Sequence, residues 1–402
     1  MAHTTAIVLC NKIFIFSKFC EYFHFIKYKY FLYATQNKNS LHIRNPYKVP
    51  AKKVIFHYMR LYYFLVLAIF AFVACTEDSP SSPHSTVEKG QAYTFQVDSS
   101  YFINKFGTSH FKVVFRNELD NSAIFIENHG NEDVMKILDL GVNAYHFQFS
   151  PDGSKLAYCT TFEGSADSSD LYVLDLNSKK SKPVKLDAPF AAIPRWRMLE
   201  NGDTAIVYVS NAASDLAPEW EQSATWQVVF KDGNFGKPKK LFDGSYHGGV
   251  AYDNSFAVTG APRLFMYTAK DNAYTDLYND EQVCNVSLAR DSSKIFSFLD
   301  ATGKMGEQFT NDPKYWWHKY IFFMNENGEI IKAISSPGTS VFDTPEWINI
   351  PNYEVGVLGT ADGDVNQLVL IDVENSNVDI ILVVDKDKYQ IWHPDIWIEP
   401  KK

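Results

Sequence analysis

Cysteine is scarce in this sequence, five residues in 402, and an odd, sparse count excludes a disulfide-stapled scaffold. Long apolar runs are nearly missing as well. The one of note, Leu61 to Ala74, holds 14 residues, whereas a helix needs about 20 to cross a bilayer. Basic charge is in deficit, with 38 Lys and Arg against 47 Asp and Glu. The imbalance is uneven: residues 1–58 carry nine basic and one acidic residue, leaving 29 basic and 46 acidic for the rest. An acidic body lacks the surface that displaces counterions from phosphates, so nucleic acid is not an expected partner. The sequence contains no Gly-x-Ser-x-Gly elbow, Walker A loop, dinucleotide fingerprint or His-Glu-x-x-His motif. No catalytic residue is therefore assigned, and the expectation leans away from an enzyme.

What is present begins with MRLYYFLVLAIFAFVAC at Met59. Arg60 precedes an apolar run of signal-peptide length, which ends in Phe72-Val73-Ala74-Cys75. This ending resembles a bacterial lipobox, which implies cleavage before Cys75 and lipidation of its thiol, although Phe72 stands where Leu is usual. The polar TEDSPSSPHS stretch that follows suits a tether. The expected organisation is a signal peptide over 59–74, a flexible tether over 75–100 and one folded domain over 101–402. Phe, Tyr, Ile, Asn and Lys make up 31 of the first 58 residues, and no helical or alternating period holds there. That segment reads as sequence upstream of the true initiator, Met59. The expected address is the bacterial cell envelope, lipid-anchored at the outer membrane, facing the periplasm or the surface.

From about residue 110 the chain repeats itself. The clearest unit is HFQFSPDGSKLAYCTT followed by SDLYVLDLNSKK, four short strands with Asp152-Gly153 at a tight turn. Its opening strand returns around Trp196, Val250, Leu288, Trp347 and Trp397. The last copy, IWHPDIWIEP, has no strands after it, while FKVVFR, AIFIENHGN and VMKILDL at 111–140 have no opening strand before them. Joining these fragments predicts an all-β fold: a six-bladed propeller of four-stranded blades, closed by pairing its N- and C-terminal strands. At FSPDGSKLAY and DLYVLDLNSKK the sequence resembles the TolB-like β-propeller family. That resemblance implies an envelope propeller working through protein contacts.

Candidate site residues come from the repeat. His146, His247 and His393 stand three or four residues before an anchor in three blades, and Asn285 does so in a fourth. First strands surround the channel, so these side chains could converge at its mouth, where imidazoles can hold a divalent metal. The competing reading is histidines hydrogen-bonded to loop carbonyls; no metal or other cofactor is assigned. Asp362-Gly363-Asp364 lacks the later ligands of a calcium loop and reads as a turn. Cys159 and Cys284 fall on opposite blades and are expected as free thiols. Trp220, Trp316 and Trp317 lie in long insertions and are candidate contacts for a protein or a sugar. The leading functional expectation is a non-catalytic lipoprotein whose propeller binds another envelope protein. The alternative is a carbohydrate-binding, or metal-dependent carbohydrate-cleaving, propeller.

Overall fold

The structure, a computed structural model, describes residues 92–401 except 131, 162–168, 179, 211–222, 261–262, 279–280, 303, 306–316 and 361–364. The upstream segment, the signal peptide, Cys75, Trp220, Trp316 and the Asp362-Gly363-Asp364 turn lie outside the described residues.

The first elements are a short strand, β1 (Tyr93–Phe95), and a helix, α1 (Ser99–Phe106). Blade one follows with β2 (His110–Asn117), β3 (Ala123–His129) and β4 (Glu132–Leu138). Blade two holds β5 (Tyr145–Phe149), β6 (Lys155–Cys159), β7 (Leu171–Asp175) and β8 (Val184–Lys185). Blade three is β9 (Ala191–Met198), β10 (Thr204–Ser210), β11 (Ala224–Lys231), a two-residue β12 (Asn234–Phe235) and β13 (Lys239–Asp243). Blade four is β14 (Gly249–Val250), β15 (Phe256–Thr259), β16 (Phe265–Thr268) and β17 (Ala273–Asp276). Blade five is β18 (Val283–Leu288), β19 (Phe296–Asp300), β20 (Tyr320–Met324) and β21 (Ile330–Ser335). Blade six is β22 (Ser340–Trp347), β23 (Tyr353–Thr360), β24 (Val365–Asp372) and β25 (Asn377–Val384), and β26 (Ile391–Ile398) ends the chain.

β26 pairs antiparallel with β2, from Phe111 opposite Ile398 to Asn117 opposite Ile391, giving blade one the order β26-β2-β3-β4. The two ends of the chain therefore close a ring of six antiparallel blades, as the complementary fragments predict. All six repeat anchors lie on the first strands of their blades.

Besides the extra β12 of blade three, two features depart from a plain four-stranded repeat. β1 pairs with β25 and makes blade six five-stranded, although Tyr93–Phe95 falls inside the segment expected to be tether. Helix α1 then crosses to blade one. Asp98 caps its N-terminus by accepting from the Tyr101 amide, and Gly107 ends it at φ +76. Phe102 stacks on Phe111 of blade one at 4.2 Å, while Lys105 bridges Asp372 and Asp379 of blade six. The helix thus staples the seam where the ring closes.

The apolar core is divided among the seams between blades. One cluster joins blades one and two through Val114, Phe125, Phe149, Tyr158 and Trp397; others join four to five and five to six. Inner strands are covered on both faces by neighbouring blades, so Val113, Val114 and Phe115 are all buried and no alternation shows. Outermost strands face water, and β17 is almost wholly exposed.

Candidate functional site at the channel

The channel is built by one backbone device repeated around the ring. In five blades the first strand bulges at a residue with positive φ: His393 (+44), His146 (+52), Ile193 (+51), Asn285 (+51) and Thr344 (+42). A register shift accompanies each of them. Two residues further along, each of these strands presents a polar side chain: Asp395, Gln148, Arg195, Ser287 and Glu346. In blade four the corresponding residue is Gly249.

These side chains form a connected layer. Arg195 makes a two-pronged ion pair with Glu346, at 2.5 and 3.1 Å, and donates to the carbonyl oxygens of His247 and Val286. Ser287 donates to Glu346 at 2.7 Å. Arg290 donates to Asp395 at 2.9 Å, and Asp395 also accepts the amide of Phe149 at 2.6 Å. Trp196 and Trp347 send their indole N–H groups to the carbonyls of Gln148 and Ser287 in the preceding blades, at 3.1 and 2.9 Å. Backbone and side chain thus tie blade to blade around the channel.

The layer separates two cavities, both lined by Gln148 and Arg195. The inner one, about 20 Å³, gathers His146, Asn285, Thr344, Glu346 and His393, and is large enough for a single water. The mouth cavity, about 230 Å³, lies on the other side among blades two to five, floored by Trp196 and lined by Arg197, Arg290, Met198 and Tyr252. Gly249 explains its place. A Cβ there would stand 2.9 Å from Leu288 and 3.6 Å from Arg195 Cδ, so glycine leaves the space that other blades fill.

The histidine candidates separate accordingly. His146 and His393 stack at 4.0 Å, and His393 Nδ1 accepts the His146 amide. Asn285 lines the same cavity but donates to Asp343 at 3.0 Å. Both ring nitrogens of His247 are engaged: Nε2 meets the Gly260 carbonyl and Nδ1 meets the Thr259 hydroxyl, each at 2.9 Å. Nε2 must carry the proton to serve a carbonyl, so His247 has no lone pair to offer a metal. Burial lowers the imidazole pKa of His146 to about 3 and of His247 to about 4, in each case helped by the charge of Arg195. At His146, Asn285 and His393 the common placement belongs to the first-strand bulge, whereas His247 lies in blade four and is not one of the bulge residues. The polar layer went unnoticed, although its members mostly stand one residue before an anchor.

Charge in the layer is mixed. Burial pulls the carboxyl of Glu346 upward, but the charge and hydrogen bonds of Arg195, with Ser287 behind them, hold it below the usual glutamate range. Burial wins at Asp395, pushed up to about 6, and at Glu354, raised well above the usual range. Arg197 differs from its neighbours. Its NH1 donates to Asn254 Oδ1 and its NH2 to the Tyr252 carbonyl, its Nε is buried with no hydrogen-bond partner, and no ion pair forms with it among the described residues. Beside it Met198 and Tyr252 are 52% and 47% exposed.

Trp317 is 48% exposed and packs edge-on against His318 at 4.4 Å, and it lines neither cavity. Cys159 and Cys284 are thiols not joined in a disulfide, and Cys159 Sγ accepts the Ile193 amide at 3.4 Å.

No family model matches this chain, and no curated protein matches it in sequence. Solved structures match it in shape. A chain of the nidogen/laminin complex aligns with TM-score 0.45 and 9% identity, over 72% of this chain and 100% of its own length. A protein of unknown function from Bacteroides caccae aligns with TM-score 0.45 and 10% identity, over 72% and 98%. A chain from work on two prolyl endopeptidases aligns with TM-score 0.37 and 12% identity, over 71% of this chain and 52% of the peptidase.

Proposed function

We propose that this propeller is a non-catalytic binding platform that docks a protein partner over the channel mouth, with a carboxylate of the partner set against Arg197. The observation that carries the reading is the rim itself. Arg197 has only neutral hydrogen-bond partners, with the charge of Asp253 nearby, and it sits between exposed Met198 and Tyr252. Arg, Tyr and Met are enriched where proteins bind one another, and Arg and Tyr most often carry the binding energy. A guanidinium takes a carboxylate in a two-pronged fit, and the charge-assisted bonds are stronger than the neutral ones around it. The Arg195–Glu346 pair spans the channel beneath the rim, which supports reading the mouth as a surface for docking.

The finer identity rests on sequence. The TolB-like turn at Ser150-Pro151-Asp152-Gly153 and the lipobox-like Ala74-Cys75 together support an envelope lipoprotein, tethered through Cys75. Replacing Cys75 by Ser should release the protein from the membrane fraction; continued quantitative membrane association would refute the lipid anchor.

Site-specific photo-crosslinking in intact cells tests the docking surface. A photoreactive residue at position 252 should give a discrete protein adduct, and one at Tyr274, 54% exposed on the outer strand of blade four, should not. Equal adducts from both positions, or none from 252, would count against the mouth.

A further inference from the structure

We propose that His110, Glu127 and His129 form a three-ligand site for a divalent transition cation of the zinc class, on the closing blade. The antiparallel register of β2 and β3 sets His110 opposite His129 and Lys112 opposite Glu127. Alternate residues of a strand share a face, so this pairing brings two imidazoles and a carboxylate together. Glu127 Oε1 lies 3.1 Å from His110 Nε2 and 3.3 Å from His129 Nε2, and the three ligand atoms lie within 4.8 Å of one another. Two imidazoles and one carboxylate are the donor set of open zinc sites, and nickel, cobalt and copper favour the same nitrogen-rich mixture.

Two further features suit a metal. His110 Nδ1 faces Glu399 Oε2 at 3.7 Å, and Glu399 in turn accepts from Thr108 at 3.2 Å. A carboxylate near the non-ligating nitrogen favours the tautomer that leaves Nε2 free for the ion. His129 is the most open of the three, with its side chain 63% exposed, which leaves an approach for the cation and a fourth position for water. The competing charge is Lys112, whose Nζ stands 3.7 Å from Glu127 but is engaged by the Gly153 carbonyl at 2.8 Å and lies over the Trp397 ring. The imidazole rings are stacked at 3.8 Å, so coordination requires them to splay slightly about one ion.

Zinc titration of the full-length protein by calorimetry, after dialysis against chelator, tests the site. One equivalent bound by the wild type should be lost, or weakened at least tenfold, in His129→Ala. Any binding by histidines and cysteines of residues 1–91 is common to both proteins and cancels in the comparison. Cobalt difference spectra should show a bound-cobalt absorption in the wild type that Glu127→Gln diminishes and His146→Asn leaves unchanged. Identical zinc isotherms for wild type and His129→Ala would overturn the proposal. So would a cobalt signal that tracks His146 and not Glu127. His129 is a surface residue, so its replacement should leave the chelator-treated melting temperature where it was, and the comparison is between two folded proteins.

Discussion

Arg195 of blade three reaches across the channel to Glu346 of blade six, the blade opposite, and joins it through two N–H to oxygen contacts of 2.5 and 3.1 Å. The pair is a strut through the middle of the ring, and Arg195 also reaches Val286 of blade five while Arg290 of blade five reaches Asp395 of blade one. Ser287 of blade five completes the shell of Glu346 by donating to it.

Removing the cationic half should destabilise strongly. Arg195→Ala leaves half-buried Glu346 with Ser287 but without its cation, and breaking a fully buried pair typically costs about 3–5 kcal/mol, so a loss of about 2–4 kcal/mol is expected. Urea denaturation of the two proteins checks this. A loss below about 1 kcal/mol would mean the pair behaves as a solvated surface contact.

Closure of the ring can be weighed at Trp397 and Gly153. A Cβ on Gly153 would fall 2.3 Å from Cδ2 of Trp397, and Gly153 has φ +66, which a side chain strains. Trp397→Ala should cost about 3–5 kcal/mol, and Gly153→Ala about 2–4 kcal/mol from overpacking and backbone strain together. The double variant should cost clearly less than the sum, because the clash disappears with the ring. Strict additivity in a denaturation cycle would show that the two residues do not meet.

Deleting residues 389–402 should be worse than either. It removes buried Ile391, Ile396, Trp397 and Ile398, each worth roughly 1.5–3 kcal/mol, and bares an edge of β2. The expected result is loss of the cooperative thermal transition. A truncated protein melting within a degree or two of the full-length one would contradict closure by the chain ends.

Acid should destabilise the protein from an unusually high pH. Burial depresses the imidazoles of His146 to about 3 and of His247 and His318 to about 4, and lowers His393 as well, from an ordinary value near 6.5. Between those values the unfolded chain binds protons that the folded one refuses. Their stabilising contribution is therefore complete above about pH 6.5 and is lost as pH falls towards 4. Asp395, raised by burial to about 6, and Asp343 and Glu354, also raised by burial, act with the opposite sign, but they are three groups against four. The melting temperature should fall between pH 7 and 5. His318→Asn, which tolerates the φ of +58 at that position, should flatten the slope. An unchanged slope in the variant would remove His318 from the explanation.

The fold was legible because its anchors are large and its turns are marked. Phe149, Trp196 and Trp347 precede turn residues at blade-length intervals, and the orphaned β26 and β2–β4 segments complement each other. β1 was hidden because three residues, Tyr93–Phe95, carry no periodic signal. Helix α1 could have been found: Asp98 and Gly107 bracket it as caps, and Phe102 and Phe106 repeat at helical spacing. The channel was legible only as a location. The similar placement of His146, Asn285 and His393, three or four residues before an anchor, reflects a shared bulge, and a bulge shows in backbone dihedrals, not in residue type. The ligand cluster of His110 and His129 needs the β2–β3 register, since the two residues are far apart in sequence.

The docking surface at the mouth is tested most directly by affinity. With the partner recovered by crosslinking at position 252, calorimetry should show Arg197→Ala binding it at least tenfold more weakly than the wild type. Arg197→Glu should bind weaker still, because like charge would then face the carboxylate. Partner affinity that is unchanged in both variants would contradict the assignment of Arg197, and with it the mouth as the place where this propeller works.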